Sequence, residues 1–496
     1  MKRFIILVLF IGTSAFSQDI TDALRFSSHE INGTARYTAM GGAFGALGGD
    51  ISAININPAS SAVFLNNKFS GSLDLTSVNN DAFYGGNSNT TSSSNFDLNQ
   101  LGAVFVFEAN NQDALFKKLT LGFSYNRTNN YDNEYFVNGD NVETIADYFI
   151  NRAEGTALNT FDQGLSNPIG AYRDFGRREN FAAQQGFIGY NTFIIDAANP
   201  DNPNNTSYLS NVFGASSNQN YSETTRGSSG KYTINGGGMI GDRLHLGLNL
   251  NFHFSEYRRE TLFDEFNSGT GVNEIFFDND LRIRGSGFSF QLGGIAKITE
   301  EWRLGFTYDS PTWMSISEEL IQRLETVRAG ENTPAIIDPD ILNIYPDYNF
   351  KTPGRLSLST AYVFGGSGLI SFDYSYKDFS AMEFTSSGFG FQNDEISNLM
   401  TGASTFNLGG EYRIQNTSLR AGYFIQESPY LDENFLGDTT GYSFGLGFNF
   451  GNAILDFSYQ RVEQDRQGIL YFTDITQESD IQSFMNNYMV TLTLNL

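Results

Sequence analysis

From Leu244 the chain alternates strictly between apolar and polar positions, with Leu244, Leu246, Leu248, Leu250, Phe252 and Phe254 on one parity and His245, Gly247, Asn249, Asn251, His253 and Ser255 on the other. A period of two places the first set on one face of a β-strand. The same alternation returns at Leu119–Tyr125, Trp302–Tyr308, Ile370–Tyr376, Tyr442–Phe450, Leu455–Tyr459 and Tyr488–Leu496. A soluble sandwich also alternates, but with shorter strands and mainly aliphatic residues turned inward. Here the apolar set is rich in aromatic residues and the opposite set is Gly, Ser, Asn and charge, the pattern of strands that face lipid outside and a polar lumen inside. The pattern predicts strands near 67–79, 98–109, 118–130, 231–240, 242–257, 280–297, 302–309, 353–365, 368–379, 403–414, 418–428, 440–450, 453–464 and 486–496. The expected fold is all-β, a 14-stranded antiparallel transmembrane β-barrel, an even strand number as such barrels have. Tight links such as Gly241-Asp242, Thr299-Glu300-Glu301, Gly365-Gly366-Ser367 and Gly451-Asn452 alternate with long polar excursions. Such barrels carry short turns on the periplasmic side and long loops outside.

Four stretches depart from this pattern. Lys2 and Arg3 precede an unbroken apolar run from Phe4 to Ile11, and Ala15-Phe16-Ser17 offers small residues at a cleavage site. Residues 1–17 are therefore expected to be a signal peptide, since a run that short cannot cross about 30 Å of hydrocarbon. Residues 18–65 hold a small-residue, Gly-rich run from Gly33 to Asp50, unsuited to a lipid-facing strand and able to fold compactly as a hatch inside the lumen. Residues 66–496 form the barrel, interrupted by a long external insertion at 131–230, with a helix expected near Val142–Ile150, and by an apolar external loop at 311–350.

Composition narrows the chemistry. With 55 acidic and 30 basic residues the formal net charge is -25, which opposes nucleic acid as a partner because that affinity rests on Lys and Arg. No cysteine is present, so thiolate metal sites and cysteine nucleophiles are excluded. Gly441-Tyr442-Ser443-Phe444-Gly445 matches a nucleophile-elbow pattern but lies within an alternating strand, whereas an elbow needs a strand followed by a helix. His245 and His253 share a face yet stand about 26 Å apart along a strand, too far to ligate one metal. The chain reads as a non-enzyme without cofactor or metal.

The run Gly41-Gly42-Ala43-Phe44-Gly45-Ala46-Leu47-Gly48-Gly49-Asp50, followed by Asn55-Ile56-Asn57-Pro58-Ala59, resembles the hatch of the FadL/TodX outer-membrane transporters, which carry an Asn-Pro-Ala element before strand one. Tyr308-Asp309-Ser310-Pro311-Thr312-Trp313, Thr352-Pro353-Gly354-Arg355 and Ser371–Asp378 are similar to members of the type found in Bacteroidota. The resemblance spans the mature chain. It implies a plugged barrel in the cell outer membrane, in contact with outer-membrane lipid, that passes long-chain fatty acids or other hydrophobic small molecules by passive, hatch-gated diffusion. As the alternative it admits a barrel serving as structural subunit or shuttle of a larger outer-membrane assembly or secretion complex, with protein partners. The insertion at 131–230 is longer than a simple transporter needs, and it puts in doubt the lateral exit that the family forms with strand three and the hatch.

The candidate gate is Asn57, Pro58 and Ala59 with Gly41 and Gly42; a proline fixes the backbone where plug meets wall, and its alternative role is to turn the chain into strand one. The candidate external binding set is Trp313, Met314, Ile337, Ile341 and Ile344, the last three at helical spacing. The same residues also suit simple packing of the loop. Alternation turns Arg355, Arg303 and Arg420 into the lumen, along with Arg413, Asp373, Lys377, Glu411 and Asp456. An Arg can hold a carboxylate through two parallel hydrogen bonds, or pair with its neighbours or the hatch.

Overall fold

The computed structural model describes residues 20–111, 114–178, 181–339, 341–470 and 477–496; the expected signal peptide lies outside them. Fourteen strands close a ring: β1 Lys68–Tyr84, β2 Asn87–Glu108, β3 Phe116–Asn130, β4 Ser217–Ile240, β5 Leu244–Asn267, β6 Val272–Lys297, β7 Trp302–Asp309, β8 Arg355–Val363, β9 Gly368–Asp378, β10 Gly402–Ile414, β11 Thr417–Gln426, β12 Thr439–Asn449, β13 Ala453–Ile469 and β14 Glu478–Asn495. Each pairs antiparallel with the next, and β14 returns to β1 with Lys68 opposite Asn495 and Phe83 opposite Asp480. Closure leaves the ring no free edge strand, as a membrane-spanning sheet requires.

Every expected strand segment falls on one of these strands. The apolar parity is turned outward and exposed, including Leu246, Leu248, Leu250, Phe306, Leu358, Phe372, Phe444 and Leu492. The opposite parity is buried, as at Asn249, Asn251, Ser371, Asp373, Glu411, Ser443 and Thr491. Side chains from the wall therefore meet something in the lumen, and that something is the N-terminal segment. It contains helices α1 Ile20–Ser27 and α2 Ala35–Ala39 and two 3-10 turns, Ser52–Asn55 and Pro58–Val63, and it is almost wholly buried from Gly33 to Ala62.

The strands outrun the expectation at the end opposite the tight turns. β4 and β5 have 24 residues each and β6 has 26, about 80 Å of strand at about 3.3 Å per residue, where about ten residues suffice to span the hydrocarbon. Their upper halves form a collar above the apolar belt. Residues 217–230, expected within the external insertion, are part of β4, and β1 and β2 continue to a tight Gly85-Gly86 turn instead of stopping near 79 and 98.

The insertion folds as a cap. After a strand at Asn133–Asn141 come α3 Ala146–Ala153, α4 Leu158–Gly164, α5 Pro168–Arg178 and α6 Phe181–Asn191; α3 overlaps the helix expected near 142–150. An aromatic cluster joins cap to collar, with Tyr148, Phe149, Phe161, Tyr172 and Phe187 from the cap against Phe263, Phe277, Leu324 and Ile337 from the collar. Phe149 and Phe277 stand 5.5 Å apart, ring to ring.

The stretch at 311–350 is not a loop with a helix. Trp313–Arg328 is a strand that continues β7 upward beside β6, and Ala335–Ile337, Asn343–Ile344 and Tyr348–Lys351 return antiparallel against it. Ser310-Pro311-Thr312 and Thr352-Pro353-Gly354 interrupt the two arms at the same height, where Thr312 and Thr352 exchange hydrogen bonds of 2.9 and 3.0 Å. Proline has no N–H for the ladder, so the wall creases there.

Candidate ligand site and hatch in the barrel lumen

The Asn-Pro-Ala element sits at the wall. Asn57 is fully buried. Its Nδ2 donates to the carbonyls of Gly45 at 2.7 Å and Gly294 at 3.1 Å, and its Oδ1 accepts from the Ala59 N–H at 3.1 Å, capping the 3-10 turn begun by Pro58. The Pro58 carbonyl accepts from Asn235 of β4 at 3.0 Å. This close approach is possible because the facing strands carry glycine: a Cβ on Gly247 would lie 2.2 Å from the Pro58 carbonyl carbon, and one on Gly293 2.1 Å from Asn57 Oδ1. Across the lumen, Gly41 donates to Ser443 at 3.2 Å and accepts from Asn407 at 2.6 Å. Gly41 and Gly42 have φ of 60° and 79°, a conformation that favours glycine. All five expected hatch residues thus lie where the segment meets the wall, on opposite sides of the ring.

One ionic contact reinforces the docking. Arg36 of α2 donates through Nε and a terminal nitrogen to both oxygens of Glu411, at 2.8 and 3.2 Å. The same buried carboxylate accepts from Arg413 and Arg420, and Arg420 also holds Asp456 at 2.6 Å.

The lumen arginines are inward, as alternation requires, but already engaged. Arg420 is occupied as just described, and Arg303 donates to the Leu47 carbonyl of the hatch at 2.8 Å. Arg355 grips Asp309 at 2.6 Å across the β7–β8 pair. Arg355 lies directly opposite Lys377 of β9, and Lys231 of β4 lies opposite His253 of β5; all four act electrostatically on His29 of the hatch. Asp309 is the carboxylate that answers Lys231 and Lys377 together with Arg355, and its second oxygen accepts from Gln291 at 2.8 Å. Lys377 donates to the Ser27 carbonyl at the end of α1, and His253 meets Ser289 at 2.8 Å. Lys231, Arg355 and Lys377 thus gather around Asp309, with Asp373 also acting on Arg355.

Directly beside this group lies an apolar cluster. Ala23 and Phe26 of α1 pack with Met314, Ile316, Tyr348, Phe350, Phe384 and Ile396, the last on helix α7 Gly390–Leu399. The Lys377 ammonium stands 5.3 Å from the ring centre of Phe379 in that cluster, and Phe26 lies 6.1 Å from Phe350. Helix α1 therefore packs into this apolar cluster while its last turn caps a lysine of the basic group.

The junction of β2 and β3 is a weak seam in the wall. β2 pairs with β3 only from Gln100–Asn126 down to Glu108–Lys118; above that, β2 pairs with β1 and the top of β3 pairs with β4. Side chains bridge the gap, with Arg127 reaching Asp97 at 3.3 Å, while hatch residue Glu30 exchanges backbone and carboxylate bonds with Thr128 and Asn130.

The expected external binding set is divided. Strand geometry sends Trp313 outward, 48% exposed, and Met314 inward to the apolar chamber. Ile337 is buried under the cap with Ile341 packed at its edge, and Ile344 is 70% exposed. Only Met314 joins the lumen site, because Ile337 and Ile344 lie in short strands rather than on a helix and Ile341 falls between them. Lys231 and α1 were not expected at a site, and His253 was weighed only as a metal ligand, although the parity of β4 and β5 turns both Lys231 and His253 inward. Shallow grooves around Trp302 and Tyr362, and around Phe364 and Tyr412, lie near the tight turns, away from these groups.

No protein-family profile matches the chain, and no curated protein matches its sequence. Solved structures do match its fold. A FadL homologue of Pseudomonas aeruginosa superposes with a TM-score of 0.55 at 11% identity, covering 95% of this chain and 99% of that one. The toluene transporter TodX of Pseudomonas putida gives 0.51 at 13% identity, with 95% and 100% coverage. The toluene transporter TbuX of Ralstonia pickettii gives 0.50 at 14%, with 94% and 99%. The chain has the fold of these barrels over nearly their whole length.

Proposed function

We propose that the chain is an outer-membrane channel of the FadL/TodX kind that takes up a hydrophobic molecule bearing an anionic head group. The observation that carries this reading is the pairing of an apolar chamber with a three-cation group, Lys231, Arg355 and Lys377, inside a plugged barrel. Burying a chain in such a chamber contributes about 0.8 kcal/mol per CH₂, and a carboxylate against lysine and arginine adds charge-assisted hydrogen bonds. The solved neighbours named for their cargo carry toluene, an uncharged molecule; the basic group is what directs this chain toward an acidic one.

Helix α1 occupies the position of the cargo. A ligand entering beside Phe26 competes for the chamber, and its head group competes with the Ser27 carbonyl for Lys377, so binding pulls on the hatch at both points. Release of Glu30 from β3 then frees the seam between β2 and β3, a sideways route into the membrane. Gating of this kind rests on Asn57 and Gly41 keeping the rest of the hatch seated while α1 moves.

The test is extraction from the native outer membrane in mild detergent and mass spectrometry of what is retained. The expected result is an anionic amphiphile that Lys231→Met with Lys377→Met reduces about tenfold, the effect of losing about 1.4 kcal/mol. Retention of only uncharged compounds, or of stoichiometric polypeptides with no small ligand, overturns the proposal.

A further inference from the structure

Outside the barrel, at the height where the apolar belt ends, the collar carries a compact patch of arginines. The belt finishes on β4 to β6 and the adjoining strand with Tyr232, Phe252, Phe254, Phe288 and Trp313, all on the outer parity. Such aromatic girdles sit at the membrane interface. One residue pair above Phe254 comes Arg284, cross-strand from Glu256; one pair further, Arg226, Arg258 and Arg282 lie directly opposite one another on β4, β5 and β6. Strands are about 4.8 Å apart and two residues span about 6.6 Å, so four guanidiniums fall within roughly 15 Å.

Like charges placed directly opposite destabilise a sheet, so an arrangement of this kind needs partners. Asp280 takes Arg258 through two bonds of 2.8 Å and touches Arg282 at 3.1 Å. Arg284 has only loose carboxylates, Glu319 at 3.7 Å and Glu256 at 4.0 Å, and is 56% exposed. Arg226 is exposed and makes no ion pair among the described residues. Glu260 also takes Arg258 at 2.6 Å, so these arginines meet Glu256 and Glu319 within their own two rows and Asp280 and Glu260 from the row above, and among the described residues Arg226 is the one left without a carboxylate. The rows above are acidic, with Glu260, Asp264 and Asp278.

We infer that this face docks the phosphorylated head group of an anionic lipid in the outer leaflet. The positive rows lie at head-group height and are continuous with the apolar face that would hold the acyl chains, and guanidinium matches phosphate geometry through paired hydrogen bonds. The acidic rows above set an upper limit on how far such a ligand reaches. The inference rests on the long-loop end being extracellular, but not on the identity of any transported molecule.

The experiment measures binding of the detergent-solubilised full chain to diphosphorylated lipid A in mixed micelles, with dephosphorylated lipid A and inorganic phosphate as separate arms. The expected result is preference for the diphosphorylated lipid, weakened about tenfold or more in Arg226→Ala/Arg282→Ala/Arg284→Ala and unchanged in Arg461→Ala, an exposed-strand arginine on the far side of the ring. Heat-modifiable migration of each variant on electrophoresis confirms that the barrel is intact. Equal binding by the triple variant, no discrimination between the two lipids, or binding of inorganic phosphate as tight as that of the lipid overturns the inference. Because the chain has no cysteine, a single Leu165→Cys on the cap, labelled in whole cells by an impermeant reagent, reads orientation separately; absence of labelling there refutes the extracellular assignment instead.

Discussion

Gly247 and Gly293 are places where the wall omits side chains so that the backbone of the hatch can lie against it. In Gly247→Val the new Cβ meets backbone, the Pro58 carbonyl at 2.2 Å, and backbone cannot swing aside as a flexible side chain can. The expected outcome is a closed barrel with an unseated Asn-Pro-Ala turn. Ser60, fully buried, reports it: Ser60→Cys should resist a thiol reagent in the parent and react in the Gly247→Val background, and equal protection in both would refute this seat. A second residue-scale expectation concerns pH. Burial under the cap pushes the Glu265 carboxyl up from the usual 4.5, against the pull of the Ile145 N–H and the Gln219 and Asn267 amides. A raised acid favours the neutral folded form, so cap docking is strongest below pH 4.5 and weakens as pH rises until the folded group ionises. Proteolysis of the cap should therefore be slower at pH 5 than at pH 8, and Glu265→Gln should flatten the difference. At this scale the sequence told which way side chains point, because parity decides it, but not what they touch. Arg303 and Arg420 face the lumen as expected, yet Arg303 meets the Leu47 carbonyl from 256 residues away, and Arg420 takes Asp456 from 36 residues away besides Glu411 directly opposite it.

Helix α2 is short, and what fixes it is its arginine. Glu411 is fully buried among Arg36, Arg413 and Arg420, so Glu411→Ala leaves three cations facing one another. Breaking a buried ion pair by removing one partner costs about 3–5 kcal/mol, and here the loss falls on the junction of hatch and wall. Planar-bilayer recordings should show ion leak through Glu411→Ala that is absent from the parent, with partial recovery in Arg36→Ala/Glu411→Ala; a silent single variant would show that Asn57 and the glycine contacts hold the hatch unaided. Strands in the hydrocarbon were legible because lipid outside and a polar lumen inside impose a period of two. The collar was not, for a physical reason: above the belt both faces of β4 to β6 meet polar surroundings or the cap, so the outer parity turns to Glu256, Arg258 and Glu260 and the alternation disappears. The strand beginning at Trp313 was hidden by the proline break before it, and its apolar residues, Met314, Ile316 and Leu320, fall on the inward face where they pack the chamber.

For the whole molecule, the cap and the hatch never need to touch to share a support. β4 and β5 carry Asn235 and Gly247 at their lower ends, and β6 carries Gly293, the three positions that seat Pro58 and Asn57. The same β5 and β6, without a break, present Phe263 and Phe277 to the cap at their upper ends. The neighbouring wall is creased at Pro311 and Pro353, so a tilt of the collar dies out there, whereas β4 to β6 pass through that height uncut. They act as staves, and a load placed on one end is felt at the other. Whatever presses on the cap from outside, a neighbouring cell-surface polymer or an engaged protein, would therefore bear on the seat of the Asn-Pro-Ala turn some tens of ångströms below. Replacing residues 143–212 by a short Gly/Ser link should quicken hydrogen exchange at the amides of Ala59 and Ser60 while leaving β10 and β11 unchanged; identical exchange at all four places would mean the staves carry no load.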